Sequence, residues 1–215
     1  MNIDSKLYLG HLKFIYCFIL YSNMVIAADV NDYLARLADT VEKIDKDSIR
    51  KVIDVLLETR EKGGRIFIFG NGGSAATASH YVCDFNKGVS IDLDKKFDFV
   101  CLSDNTATMM AIANDIGYDY VFSKQLEGRL RKGDVIIAIS GSGNSKNVIK
   151  AVEYAKKNGN KIISLTGYNG GRLLQLADYS IHADINDMQI AEDVHMIMCH
   201  LMASTIAKEL GHPMC

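Results

Sequence analysis

Apolar residues recur at three- and four-residue steps through Val30, Tyr33, Leu34, Leu37, Val41 and Ile44, and again through Ile49, Val52, Ile53, Leu56 and Leu57. That spacing lays one apolar stripe along each of two helices. Asp45, Asp47 and Ser48 between them offer capping side chains, and Gly63-Gly64 ends the second. The period then changes. Short, almost wholly apolar runs predict strands at 65–69, 97–102, 134–139 and 161–165, with a shorter one at 179–182. Helical stretches are expected between and after them at 75–85, 107–113, 121–130 and 146–158, and a long helix over 188–210. Apolar strands alternating with helices specify a parallel sheet covered on both faces. The fold class is therefore α/β: a doubly wound, mainly parallel five-stranded sheet flanked by helices, with N-terminal helices in front and a long C-terminal helix behind.

Composition narrows the function without naming it. Of 215 residues, 48% are apolar and 23% charged, enough for one sizeable core. Lys and Arg number 24 against 26 for Asp and Glu, so no broad positive field is available for a phosphate backbone, and nucleic acid is not an expected partner. A single proline and the lack of any long polar tract point to one domain over 30–215. Cys17, Cys83, Cys101, Cys199 and Cys215 are odd in number and scattered, which suits free thiols and a cytoplasmic location. Residues 1–29 form an N-terminal extension. Its apolar run at 14–20 followed by Ile26-Ala27-Ala28 has the look of a short signal core, but it is too short to span a bilayer, so no membrane role is expected. A dispensable upstream segment and an extra packed helix are the other readings.

Two strand-to-helix loops carry candidate chemistry: Gly70-Asn71-Gly72-Gly73-Ser74 after the first strand, and Ser140-Gly141-Ser142-Gly143-Asn144-Ser145 after the third. In parallel α/β sheets such loops sit beyond the carboxyl ends of the strands, where a helix N-terminus offers free N–H groups. Tight turns use the same residues for steric reasons, but two such loops on one sheet favour a ligand. Hydroxyls and backbone N–H groups without a lysine suit a phosphate monoester on a small molecule, and neither loop has a nucleotide-binding pattern. A second constellation is ionisable. His80 and Asp84 are four apart on one helix, and Glu192 and His200 eight apart on the last, with Asp193 and His195 nearby. The last helix is apolar almost all round and is expected to be buried, which makes its charged residues costly without partners. Two carboxylates and two imidazoles are also donors that zinc accepts.

With these residues in view, the chain resembles the sugar isomerase (SIS) domain over residues 30–210, and within it the phosphoheptose isomerases. The resemblance is carried by Gly70-Asn71-Gly72-Gly73-Ser74, His80, Asn114-Asp115, Gly133-Asp134, the loop 140–145, Asn147, Thr166-Gly167 and the helix reaching His200. It implies conversion of sedoheptulose 7-phosphate to D-glycero-D-manno-heptose 7-phosphate through an enediol, for heptose and surface polysaccharide precursors. It also implies a cytoplasmic homotetramer with active sites between subunits. Asn71, Gly72, Gly73 and Ser74 are then expected at the sugar phosphate, Asn114 and Asp115 at the sugar, and Ser140, Ser142 and Ser145 around the phosphate, with Gly141 where the family has threonine. The metal positions fall on His80, Asp84, Glu192 and His200, with zinc as the ion, and Asp84, Glu192 and His200 as catalytic groups. Two positions depart from the family: Asp84 stands for its glutamate and Glu192 for its glutamine. A four-ligand zinc site would be closed, so catalysis through it would need one ligand to move. The departures leave two alternatives open. One is an isomerase of the same fold for another sugar phosphate; the other is a non-catalytic tetramer that binds a replication initiator.

Overall fold

The computed structural model describes residues 29–211; the signal-like run at 14–20, most of the extension 1–29, and Cys17 and Cys215 lie outside the described residues. The chain divides into two compact units, Met1–Asp39 and Thr40–Cys215. In the first, residues 29–39 are helical throughout and belong to helix α1, 29–43.

The second unit opens its helical run with α2 (Lys46–Glu61), whose N-cap Asp45 accepts from the Asp47 N–H at 3.0 Å and the Ser48 hydroxyl at 2.6 Å. Ile49, Val52, Val55 and Leu56 form its buried stripe. Five strands follow, β1 (Ile66–Phe69), β2 (Phe99–Cys101), β3 (Val135–Ser140), β4 (Lys161–Thr166) and β5 (Tyr179–His182), all parallel in the order β2-β1-β3-β4-β5. β1 and β3 are buried at every position, as central strands covered on both faces must be. The reversal of strand order lies between β1 and β3, so the loops after these two strands meet at the switch point where α/β sheets bind ligands.

Phe67, Phe69, Ile136, Ala138 and Ile162 pack on one face against Val148, Ala151, Val152 and Ala155 of α6 (Lys146–Lys157) and against Phe122, whose ring stacks on Phe69 at 4.9 Å. The other face carries α2, α3 (Gly73–Cys83) and α8 (Met188–Glu209). At the amino ends of the strands the buried Asp134 carboxylate accepts from the Arg65 N–H at 2.9 Å and pairs with the Arg65 guanidinium at 2.8 Å, locking β1 to β3.

Two helices differ from expectation. Of the stretch 121–130 only α5 (Ser123–Leu126) is α-helical, preceded by a 3-10 turn (Tyr118–Tyr120), because Glu127 leaves helical geometry and Gly128 adopts φ +71°. The helix expected over 75–85 starts two residues earlier and continues directly into a π-helical segment, Asp84–Val89, so that Asp84 stands where the helix widens. The remaining helices are α4 (Thr106–Asp115) and a short α7 (Gly171–Leu176), which had no clear sequence signal.

Candidate active site

The loop after β3 closes on itself around hydroxyls. Ser140 Oγ lies 3.2 Å from Ser145 Oγ, Ser142 Oγ accepts from the Asn144 N–H at 3.3 Å, and the loop runs into the N-terminus of α6 with Ser145 as N-cap. Together with Asn71, Ser74, Met188 and Glu192, residues Ser140, Gly141, Ser142 and Ser145 line a cavity of about 150 Å³. No lysine or arginine lines it. A Cβ at Gly141 would stand 2.5 Å from Met188 Sδ, so a threonine there would require that side chain to move. At Gly73, the first residue of α3, a Cβ would collide with the Glu192 carboxylate, which rests directly against that backbone. Backbone N–H groups at a helix start attract an anion, and Glu192 occupies that place.

The second centre is built from α3, the π-helical segment and α8. His80 Nε2 lies 2.9 Å from His200 Nε2 and 3.3 Å from Asp84 Oδ2, and His200 Nε2 lies 3.8 Å from the same oxygen. These three ligand atoms converge within 4.8 Å. The side chains are 40%, 16% and 57% exposed for His80, Asp84 and His200, so the centre opens to solvent rather than being sealed. Cys199 donates its thiol to Asp84 Oδ2 at 3.8 Å; burial, helped by the Asp84 carboxylate, pushes that thiol far above its usual range.

Two imidazole nitrogens and one carboxylate oxygen are a donor set that zinc accepts. Their separations bracket the roughly 3.3 Å edge of a tetrahedron with bonds of about 2.0–2.1 Å. The set fits a three-ligand ion with an open position, the catalytic kind. The structure brings together three of the four residues expected at a metal and places Glu192 in the serine cavity instead. Along α8 the backbone positions of Glu192 and His200 are about 12 Å apart.

The other expected residues divide similarly. Asn71 and Ser74 line the cavity, while Gly72 and Gly73 form the start of α3 behind it. Asn114 and Asp115 are exposed at the end of α4, where Asn114 donates to Asp115 at 2.8 Å, and neither lines the cavity. Two residues without an assigned role join the site through Asn71: Asn147, buried, exchanges amide hydrogen bonds with it, and Tyr118 donates its hydroxyl to Asn71 Oδ1 at 2.8 Å. Asn147 belongs to the loop-to-helix motif in sequence, but Tyr118 sits in a short turn with no signal of its own. The expectation that α8 is buried all round is corrected: His200 and Leu201 are exposed, and the buried charge-bearing side chain on that helix is His195. Neither of its ring nitrogens makes a hydrogen bond of good geometry among the described residues. The Thr166 carbonyl favours the charged ring, but burial outweighs it and holds the pKa down to about 4. A larger cavity, about 570 Å³, lies at the amino ends of β1, β3 and β4 among ion-paired lysines and arginines, away from both centres.

The family of this fold and site is given by comparison with known proteins. The SIS domain family matches residues 30–167, and the chain belongs to it. Within it the chain belongs with the phosphoheptose isomerases. It is 38% identical over 167 residues to the phosphoheptose isomerase of Helicobacter pylori strain P12, an alignment covering 78% of this chain and 86% of that one. It is 36% identical to the probable phosphoheptose isomerase of Thermoplasma volcanium, over 83% of this chain and 90% of the relative. The solved structure of phosphoheptose isomerase from Neisseria gonorrhoeae superposes with a TM-score of 0.78 at 31% identity, covering 86% of this chain and 98% of that chain. One from Francisella tularensis, at 23% identity and a TM-score of 0.80 over 87% and 98%, shares the fold.

Proposed function

We propose that the protein is an aldose–ketose isomerase acting on sedoheptulose 7-phosphate, with the phosphate held in the serine cavity and the reacting carbons at His80, Asp84 and His200. The observation that carries this is that the same two helices serve both centres. α3 starts against Glu192 at the cavity and reaches His80 about 10 Å further on, and α8 runs from Glu192 to His200 over about 12 Å. At ordinary single-bond lengths of about 1.5 Å, an extended seven-carbon chain with a terminal phosphate spans roughly 10 Å.

Hydroxyls of Ser140, Ser142 and Ser145 and the free N–H groups of α6 hold the phosphate without a cation. Asp84 is the base: its carboxylate removes a C1 proton of the ketose while His200 donates a proton to O2, which yields the enediol. Return of the proton to C2 and removal of the O1 proton by the imidazole completes the aldose, so one pair of groups works in both directions. His80 Nε2, Asp84 Oδ2 and His200 Nε2 would hold a zinc ion, leaving Asp84 Oδ1 and the His200 Nδ1–H for proton transfer, and the ion when bound would polarise the carbonyl and stabilise the enediolate charge. Glu192 places its carboxylate at the phosphate end. The cavity is small against the roughly 300–1,000 Å³ of sites that enclose a whole ligand. Met110, Ile116 and Leu201 leave large apolar side chains 67%, 50% and 39% exposed. Both features support a homotetramer in which a neighbouring subunit completes each site. No helix among the described residues is long and apolar enough to cross a membrane, and the free thiols of Cys83, Cys101 and Cys199 support a reducing cytoplasm.

The test is NMR of the purified protein with sedoheptulose 7-phosphate in D₂O, with added zinc and after chelation. Deuterium entering C2 of a heptose phosphate, and falling on chelation, is the expected outcome. Absence of exchange in both conditions would refute the assignment. Asp84, one methylene shorter than the glutamate of the family, favours a second reading in which another sugar phosphate is the substrate, and a panel of pentose, hexose and heptose phosphates separates the two.

A further inference from the structure

Asn71 is the one residue of the first glycine loop that lines the serine cavity with an amide, and an amide can face a ligand as donor or as acceptor. The structure decides which. A backbone N–H can only donate, so the hydrogen bond at Val148 fixes the polarity of the amides beyond it. Val148 is the third residue of α6, so its N–H has no partner within the helix, and Asn147 Oδ1 accepts it at 2.9 Å. That turns the Asn147 amide so that Nδ2 faces Asn71, donating to Asn71 Oδ1 at 2.8 Å. In return Asn71 Nδ2 donates to Asn147 Oδ1 at 2.9 Å. Tyr118 then meets an acceptor, and its hydroxyl donates to Asn71 Oδ1 at 2.8 Å. Asn71 Oδ1 is now filled by two donors. Its second N–H remains for the cavity, while Tyr118, having given its proton to Asn71, offers only lone pairs to anything beyond it.

We propose that Asn147 is a positioning residue for sugar-phosphate recognition: by accepting the free Val148 N–H in the first turn of α6 it fixes the Asn71 amide as a donor and the Tyr118 hydroxyl as an acceptor. Asn147 itself is 2% exposed and touches no ligand, so it acts through Asn71 alone. The predicted specificity follows. Asn71 selects an acceptor, a phosphate or hydroxyl oxygen, and Tyr118 selects a group with a proton to give, such as a sugar hydroxyl. Together they favour a polyol phosphate over a phosphate whose neighbouring carbon bears no hydroxyl. The inference rests on the isomerase reading only in taking the cavity as the phosphate end.

The experiment is a double-mutant cycle on the full chain, with Asn71→Ala, Asn147→Ala and the double variant, reading Kd for sedoheptulose 7-phosphate by calorimetry and kcat and KM by turnover. Asn147→Ala is expected to weaken binding about tenfold with kcat within about threefold, as befits loss of an interaction shared by ground and transition states. The double variant should bind no more weakly than Asn71→Ala, since removing Asn71 removes the route by which Asn147 acts. Penalties that multiply, or an unchanged Kd in Asn147→Ala, would overturn the proposal. Tyr118, 54% exposed, gives a variant that does not threaten folding. Tyr118→Phe should weaken binding about threefold in the native background and by less in Asn71→Ala, where nothing orients the hydroxyl; equal effects in both backgrounds would also refute it. Binding without turnover would sink the isomerase reading while the cycle still reports on Asn147. If the sugar phosphate does not bind, the same cycle is read with inorganic phosphate, and a native protein that binds neither overturns both.

Discussion

The serine cavity and the histidine centre are built by opposite means. The first is local: six consecutive residues, Ser140–Ser145, supply the hydroxyls and the backbone, and a helix start does the rest. The second is assembled from His80 and Asp84 on one side and His200, 120 positions away, on the other, with every group ionisable. The local centre is lined by no cation and offers hydroxyls and a helix start, whereas the assembled one gathers two imidazoles and a carboxylate; the proposed function gives the first the phosphate and the second the proton transfer. Their separation on α8 adds what spacing alone did not: Glu192 lines the serine cavity while His200, two turns on, meets His80 and Asp84, so in the proposed function they face different ends of one ligand.

The hardest blow to this division is Asp84→Asn, which keeps the shape of the side chain but removes the base. Turnover should fall about a thousandfold, within the range such groups contribute, while Kd for the sugar phosphate changes little. A parallel loss of binding would show that the two centres are not separate.

Next in size is a prediction about α8 between them. His195 is buried and neutral, with its pKa near 4 against 6.5 in the unfolded chain. Above pH 6.5 neither state holds the proton, and the group has no effect. As the pH falls from 6.5 towards 4, the unfolded chain takes up a proton that the folded one refuses, so stability drops by about 1.4 kcal/mol per pH unit, about 3 kcal/mol in all. His195→Leu should remove that part of the acid sensitivity, seen as a smaller difference between urea unfolding free energies at pH 7 and pH 4.5. An equal pH dependence in both proteins would contradict it.

How much of this was legible in the sequence follows the same local and non-local divide. β1, β3 and the 140–145 loop are decided by neighbours in the chain, by apolar runs and a helix start, and were readable to within a residue or two. The pairing of His80 with His200 depended on how α8 lies against α3, and helical periodicity says which residues share a face without saying what that face meets. For the same reason periodicity does not say whether Glu192 faces the serine cavity, which it lines, or the histidine centre. The Asn71–Asn147–Tyr118 chain was hidden for a related reason: a tyrosine in a three-residue 3-10 turn has no periodicity to betray it. The contraction of 121–130 at Gly128 came from a single positive φ, which composition does not show.

Within the cavity, Ser142→Ala should raise KM about tenfold with little change in kcat, because a hydroxyl bound to an ionised phosphate contributes about 1.5 kcal/mol in either state of the sugar. A fall in kcat of the same size would move Ser142 to the reacting end.

The smallest effect is the sharpest division between the centres. Glu192 places a carboxylate beside the start of α3 in the cavity that is to hold a phosphate, so two like charges share one anion site. Glu192→Gln keeps the shape and removes the repulsion, which for a partly exposed pair is worth about 0.6 kcal/mol, and Kd for sugar phosphate should tighten about threefold. Zinc affinity, held by His80, Asp84 and His200, should stay within a factor of two. If zinc binding instead falls tenfold or more while phosphate binding is unmoved, Glu192 reaches the histidine centre in the assembled enzyme, and the three-ligand open site gives way to a four-ligand one. The sign of the phosphate effect is the decisive reading, since a residue that merely shaped the cavity would loosen binding on substitution, whereas a misplaced charge can only hold the ligand off.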